Sequence, residues 1–357
     1  MNDSLDHYVL SLCASVLGIK TKTKDISSYD WSLVLDLARR HRVRPLLYNA
    51  IINNQISIPK LYFNRLKTEV SIIQKTQLLF TKELNHILNQ LGENGISAIP
   101  YKGVRLAEMA YGNLGLREFG DIDLLLRRSD IHMLGKVLKR SGYKPEKQIP
   151  SILNPLYFFV NIEFNYQKYR GEELLFHVEP HWSIGVKRAG QYLSFNDFLP
   201  QTKEASVTGD KSLELTEEGM FLSTCIHHMR SYRYILKELI DLAAMVKRCD
   251  NLDWQLIFDK AKDWKIYPTI MSALVLLDLY FILPFPDWVA IEINKCTEIQ
   301  HKVTTQKHLA SGLEILHTRI SKTVRHDLSF AEGTIKKIEI ILRSLVHYLI
   351  QFIFFKR

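Results

Sequence analysis

Ile99-Pro100-Tyr101-Lys102-Gly103-Val104-Arg105-Leu106-Ala107-Glu108-Met109-Ala110-Tyr111-Gly112-Asn113-Leu114-Gly115-Leu116-Arg117-Glu118-Phe119-Gly120-Asp121-Ile122-Asp123-Leu124-Leu125-Leu126 is the stretch on which the reading of this chain turns. Its core is Asp121-Ile122-Asp123 followed by an apolar run, the pattern of a buried strand. Side chains alternate along a strand, so Asp121 and Asp123 share one face while Ile122 and Leu124 take the other. Two carboxylates held close repel unless a cation or a proton lies between them. Oxygen-only ligation of this kind suits Mg²⁺, which takes one or two carboxylates and completes its shell with water and substrate phosphates. The Asp pair is therefore a candidate metal–phosphate site.

Upstream, Lys102-Gly103 follows a short apolar segment and opens a helical pattern through Leu106, Met109 and Ala110. A glycine at a strand-to-helix turn lets backbone approach a phosphate, and the first N–H groups of a helix can bind one. Downstream, Leu156–Tyr169 reads as a strand, with Tyr157, Phe159, Asn161 and Glu163 on one face. Arg170-Gly171-Glu172 is a turn, and Leu174–His181 is the returning strand of a hairpin. Alternation puts His177, Glu179 and His181 on one face of that strand. A His-x-Glu-x-His face also suits Zn²⁺, and two histidines flanking a structural Glu is the plainer alternative. Pro180 lacks a ladder donor, so the strand is expected to end there or to lie at an edge.

The flanks are helical. The N-terminal third (1–94) carries helix patterns over Ser4–Val16, from Asp30, from near Pro45, and from Pro59 to Leu91, with stops at Gly18, Gly92 and Gly95. Its basic run, Arg39-Arg40-His41-Arg42-Val43-Arg44, is either a solvated helix end or a phosphate contact. Within 95–212, Ser129 starts a helix that Gly142 stops, Tyr143–Lys147 forms a short strand, and Pro150–Pro155 is a loop. Pro200–Ser212 reads as a polar boundary loop. Beyond it, 213–357 is mostly helical: Thr216 caps one helix, and Asp253-Trp254 starts another. Tyr234, Lys237 and Asp241 share a helix face, which either meets a ligand or holds a Lys237–Asp241 ion pair. Ile335–Arg357 is basic and amphipathic, expected to dock on the helices or to contact a membrane surface peripherally.

Length and composition set the limits. At 357 residues the chain can bury more than one core, and its 46% hydrophobic and 24% charged content is that of an ordinary globular protein. The net charge of +9 favours a phosphorylated or polyanionic partner, but no nucleic-acid motif accompanies it. Four cysteines scattered without metal spacing argue against a disulfide framework and fit a reducing compartment. Met1-Asn2-Asp3-Ser4 lacks a basic segment followed by an apolar core, and no apolar run reaches the ~18–20 residues of a membrane span, so a cytoplasmic location is expected.

Lys-Gly, then a Tyr before a Gly, an Arg, and Asp-Ile-Asp-Leu-Leu resemble the nucleotidyltransferase superfamily with a DNA polymerase β-like fold. More narrowly, Lys102, Gly103, Tyr111, Arg117, Asp121 and Asp123 resemble an uncharacterised bacterial nucleotidyltransferase-like family. Tyr101 replaces a frequent aliphatic residue, and Gly103-Val104 replaces the superfamily's more usual Gly-Ser. Glu179-Pro180-His181-Trp182 is similar to that family's carboxylate-Leu-His-Trp motif, with Glu for the commoner Asp. The segment from Cys225 to Leu242 is similar to its later His … Leu … Asp pattern.

The resemblance implies an α+β fold, a polymerase β-like core embraced by N- and C-terminal helical regions. It implies an enzyme that takes a nucleoside triphosphate, ATP among the candidates, with Mg²⁺ or Mn²⁺. It would transfer the nucleoside monophosphate to an acceptor hydroxyl (small molecule, protein or RNA) and release pyrophosphate. Asp121, Asp123 and Glu179 would be the catalytic and metal-holding residues. Lys102, Gly103, Arg117 and Lys237 would contact the nucleotide. The alternative is a catalytically inert member that binds a nucleotide or a partner in the same pocket.

Overall fold

The structure is a computed structural model that describes residues 3–22, 30–147, 161–186, 191–207, 210–228 and 235–296, with single positions at 155, 157, 158, 338, 341 and 344. Apart from those positions at 338, 341 and 344, the basic amphipathic segment Ile335–Arg357 lies outside the described residues, as does Tyr234.

Each N-terminal helix forms where the sequence offers it a start. Asp30 caps α2 (Trp31–Arg40) by accepting the Ser32 N–H at 2.8 Å. Pro45 sits in the first turn of α3 (Arg44–Asn53), where a missing N–H costs nothing. Pro59 precedes α4 (Lys60–Glu93), and α1 covers Asp3–Ser15. The long α4 buries Leu66, Val70, Gln77, Phe80, Leu84, Ile87 and Leu91, a stripe at steps of three, four and seven.

A five-stranded mixed sheet follows. Its strands are β2 (Ala98–Pro100), β3 (Ile122–Leu126), β4 (Lys144–Pro145), β5 (Tyr166–Arg170) and β6 (Glu173–His181), in the order β2-β3-β6-β5-β4; β1 (Lys20–Thr21) lies apart. Between β2 and β3 run the short helix α5 (Gly103–Leu106) and a π-helical turn, Ala107–Tyr111. Between β3 and β4 comes α6 (Ile131–Arg140). β3 and β6 are parallel; β2 is antiparallel to β3, and β5 to β6. The β3–β6 register sets Asp123 opposite Glu179 and Leu125 opposite His181.

The two sheet faces differ. Ile122, Leu124, Leu126 and Val178 pack with Phe80, Leu84, Leu134 and Leu138 in one hydrophobic core, contributed by α4 and α6. Leu125 belongs to a larger core on the other side, where α1–α3 meet α7 (Glu217–His228), α8 (Leu236–Arg248), α9 (Trp254–Asp263), α10 (Tyr267–Tyr280) and α11 (Asp287–Lys295). Asp123, Glu179 and His181 face that second side by strand alternation.

Three local expectations are corrected. Among the described residues Tyr157 and Phe158 are helical, Glu163 makes only an isolated antiparallel bridge to His181, and β5 starts at Tyr166 rather than at Leu156; Tyr157 stacks on Phe164, their ring centroids 4.8 Å apart. Pro200–Ser212 is largely strand rather than loop, because Thr202–Val207 and Asp210–Leu215 pair antiparallel. β6 is central, so the edge alternative falls, whereas the strand does end at His181, one residue past Pro180, whose carbonyl accepts from Phe164 N at 3.1 Å. Within the basic run Arg39 and Arg44 both pair with Glu69, and Arg44 also with Glu118, while Arg40 and Arg42 are exposed as a solvated helix end would have them. Among the described residues no helix is long and apolar enough to cross a membrane.

Candidate active site

The parallel β3–β6 register builds the site. Asp123 and Glu179 are opposite neighbours, and His181 follows two residues on along the same face. His181 Nε2 lies 3.1 Å from Asp123 Oδ1 and 3.6 Å from Glu179 Oε2. Donor atoms of these three side chains lie within 4.8 Å of one another, close enough to share one cation. Asp123 and His181 are buried, whereas Glu179 is partly exposed. Asp121 comes just before β3, partly buried, and stands outside that three-residue group. His177 does share the face, with Nδ1 3.6 Å from Glu179 Oε1, but the donor cluster takes Asp123 in its place.

Lys102 supplies the nearest positive charge. Its Nζ is 2.6 Å from Asp123 Oδ1 and 3.5 Å from His227 Nδ1. Burial alone would raise the Asp123 pKa, but Lys102 and His181 together hold it well below the usual carboxylate range. Burial works against a charged His181, yet its bonds to Asp123 and Glu179 win and raise its pKa. Lys102 achieves this placement in a backbone region that side-chain-bearing residues rarely enter, at φ 58° and ψ −149°. Such strain costs about 1–3 kcal/mol and persists only where the surroundings over-determine it. Gly103 beside it also has positive φ (40°), and a Cβ there would stand 3.4 Å from the Asp121 carbonyl. The Lys-Gly turn thus lies beside the start of β3, and its positive φ, more than lack of space, favours glycine at 103.

What over-determines the turn lies behind it. Arg117 Nη1 donates to the Gly103 carbonyl at 3.4 Å, and Gln77 donates to the Arg117 carbonyl. The same guanidinium grips Asp241 of α8 with two bonds, Nε at 2.8 Å to Oδ1 and Nη2 at 2.9 Å to Oδ2. Tyr111 donates to Asp241 Oδ1 at 2.7 Å, and His228 Nε2 meets Oδ2 at 3.2 Å. Burial would raise the Asp241 pKa, but Arg117, His228 and Lys237 depress it far below the usual range. Arg117, expected from the sequence to face phosphate, is buried with its charge already matched. The Lys237–Asp241 helix pair is also replaced: Lys237 Nζ reaches the Glu118 carbonyl at 3.5 Å. Burial, helped by the nearby Arg117 charge, lowers the Lys237 pKa to about 8.

The strand-face carboxylates, the Lys-Gly turn and the mixed sheet define an α+β protein of the nucleotidyltransferase class. The chain belongs to a family described as uncharacterised nucleotidyltransferases, whose model matches residues 27–281. No curated protein matches the chain. Among solved structures it is similar to ANT(2'')-Ia in complex with adenylyl-2''-tobramycin, at 14% identity and a TM-score of 0.34, covering 56% of this chain and 97% of that one. It is also similar to the solution structure of the antibiotic-resistance factor ANT(2'')-Ia, at 15% identity and a TM-score of 0.34, covering 56% of this chain and 96% of that one.

Sequence reasoning had named Asp123, Glu179, Lys102 and Gly103, and the fold brings these together. For His181 the sequence offers a zinc face, a structural role or a place in the Glu179-Pro180-His181-Trp182 motif, but no link to Asp123, and it does not connect Arg117 with Asp241 or Asp241 with His228. Those links join residues 58, 124 and 13 positions apart. The available signal was a set of polar residues at otherwise apolar helix positions: Asp241 and His228 are buried among Leu, Ile, Ala and Cys.

Proposed function

We propose that the protein transfers a nucleoside monophosphate from a triphosphate to an acceptor hydroxyl in a Mg²⁺- or Mn²⁺-dependent reaction. The observation that carries this reading is the pairing of Asp123 with Glu179 across parallel strands, with the Lys102 ammonium against them. Their donor set fits a hard divalent cation: carboxylate oxygens dominate, with Asp121 two residues before Asp123. Asp121, Asp123 and Glu179 would hold the ion or ions, which when bound offset phosphate charge in the displacement.

The chain's own groups do the rest. The partly exposed Glu179 takes the proton from the acceptor hydroxyl as its oxygen bonds to the α-phosphorus. The bond from that phosphorus to the bridging oxygen breaks, and pyrophosphate leaves. Lys102 and Lys237 carry positive charge to the leaving phosphates, and the Gly103 backbone approaches them. Arg117 acts one step back, holding the Lys-Gly turn against Asp241.

Glu179→Gln tests the proposal, since it keeps size and removes basicity. Transfer of label from α-labelled triphosphates into acceptor pools from cell extract should fall about a hundredfold or more. Calorimetric triphosphate affinity with Mg²⁺ should fall only modestly. A wild type that binds triphosphate but releases no pyrophosphate with any acceptor pool would establish an inert binder instead.

A further inference from the structure

A second set of metal-type donors lies outside the strand cluster. The end of α7 and the first turn of α8 bring together His227, His228 and Glu238, whose donor atoms lie within 4.8 Å of one another. We propose that these three residues form a site for a transition-metal ion of the zinc class, with Asp241 orienting His228.

The argument begins at His228, whose side chain is only 2% exposed. Its Nε2 is 3.2 Å from Asp241 Oδ2, a carboxylate that Arg117 keeps ionised and that can therefore only accept. Nε2 must carry the proton, so in the neutral ring the lone pair sits on Nδ1. That Nδ1 is buried and has no hydrogen-bond partner. Leaving a buried polar atom unpaired costs about 1–3 kcal/mol, which asks for an explanation. The atom it faces is Glu238 Oε1, 3.8 Å away. This exceeds a hydrogen bond and is roughly half an ångström wider than the ligand–ligand edge of a tetrahedral ion with ~2.0–2.1 Å bonds. A small side-chain movement closes the difference.

The surroundings match such a site. A histidine that binds a metal almost always donates its other ring N–H to a carboxylate or carbonyl, which fixes its tautomer. Asp241 does this for His228. The other oxygen of Glu238 accepts from Ile235 N at 3.4 Å, which steadies that carboxylate at the start of α8. Two imidazoles with one carboxylate suit zinc rather than magnesium. Glu238 and His227 are each partly exposed, so a coordination position remains for water or an anionic ligand. His227 Nδ1 also lies 3.5 Å from Lys102 Nζ, which links this donor set to the Lys102–Asp123 pair.

The test uses the full chain, stripped with chelator, then dialysed against equimolar Zn²⁺ and analysed for metal. Wild type should retain close to one zinc per chain, and Co²⁺ in its place should give visible absorption bands of four-coordinate cobalt. His228→Ala and Glu238→Gln should lower zinc affinity by about 10–100-fold or more, with circular dichroism checking that each folds. Glu179→Gln and Asp123→Asn should keep the zinc, so the result stands apart from the transfer chemistry proposed above. Wild type that retains no zinc overturns the proposal, leaving a plain His228–Glu238 ion pair. Zinc lost with Asp123→Asn, or kept in both His228→Ala and Glu238→Gln, assigns it elsewhere. Should both variants fail to fold, zinc content and the cobalt spectrum of wild type decide.

Discussion

Asp123 and Asp241 are both buried carboxylates matched by a cation, yet they stand in opposite situations. Asp241 is wholly enclosed and meets four side chains: Arg117 through two bonds, Tyr111, His228 and, electrostatically, Lys237. Its nearest cation is a guanidinium with fixed geometry. Asp123 is matched by Lys102, a flexible ammonium on a strained backbone, next to the partly exposed Glu179. The first arrangement is closed and holds two parts of the chain together. The second is open on one side, and its cation sits on a side chain with four carbons of reach. Burial alone does not separate a clamp from a site; the number and stiffness of the partners do.

Substitution at the two positions should break the comparison in opposite directions. Asp123→Asn keeps the shape, and transfer activity should fall by about 10²–10⁴-fold or to nothing, the range of an essential acid–base or charge-stabilising group. Asp121→Asn should likewise abolish transfer, measured by the same labelling assay. Activity persisting in both variants removes the Asp pair from the mechanism. Asp241→Asn should instead show its main loss in urea unfolding. It leaves the Arg117 charge buried without its partner, for which a cost of about 3–5 kcal/mol is expected. An Asp241→Asn protein with wild-type stability would mean that the clamp is dispensable.

Acid sharpens the same contrast. Asp241 and Asp123 both have folded pKa values below the unfolded value of about 3.9. Each therefore contributes stability that is fully present above that pH and lost as pH falls through the folded values, because the unfolded chain binds more protons there. The Asp241→Asn variant should lose the larger part of this acid limb. Urea midpoints measured from pH 6 to pH 3 give the comparison. Equal acid limbs in wild type and variant would show that Asp241 is not the ionised group assigned here.

Much of the site was legible in the sequence because strand alternation is a local rule. Asp121-Ile122-Asp123 before three leucines announces both a strand and the face its carboxylates take. His177, Glu179 and His181 share a face for the same reason. The parallel register that sets Glu179 beside Asp123 was carried by the family resemblance, since nothing local encodes which strands pair. The clamp was not legible. Arg117 looks the same whether it meets phosphate or Asp241, and the choice depends on packing between segments 124 residues apart. The hairpin over Thr202–Leu215 was missed because its lysines, glutamates and serines read as a loop, whereas backbone pairing decides it.

The smallest expected effect concerns Lys237, which feels the charges of Asp241 and Asp121 but forms no ion pair with either. Among the described residues its Nζ reaches the Glu118 carbonyl at 3.5 Å, and burial beside Arg117 lowers its pKa to about 8. The folded pKa lies below the unfolded value of about 10.4, so between these values the unfolded chain binds more protons. Stability of the free protein therefore rises with pH across about 8 to 10 on account of this group. A bound triphosphate favours the ammonium, so the ligand has the opposite preference. Triphosphate affinity should then weaken as pH rises through about 8, by no more than about tenfold per pH unit for one proton. Lys237→Arg keeps the charge across that range and should flatten the profile, even if its affinity at pH 7 is altered. Calorimetric titrations from pH 7 to pH 9.5 on both proteins measure this. Identical pH profiles would place Lys237 with the clamp rather than with the nucleotide.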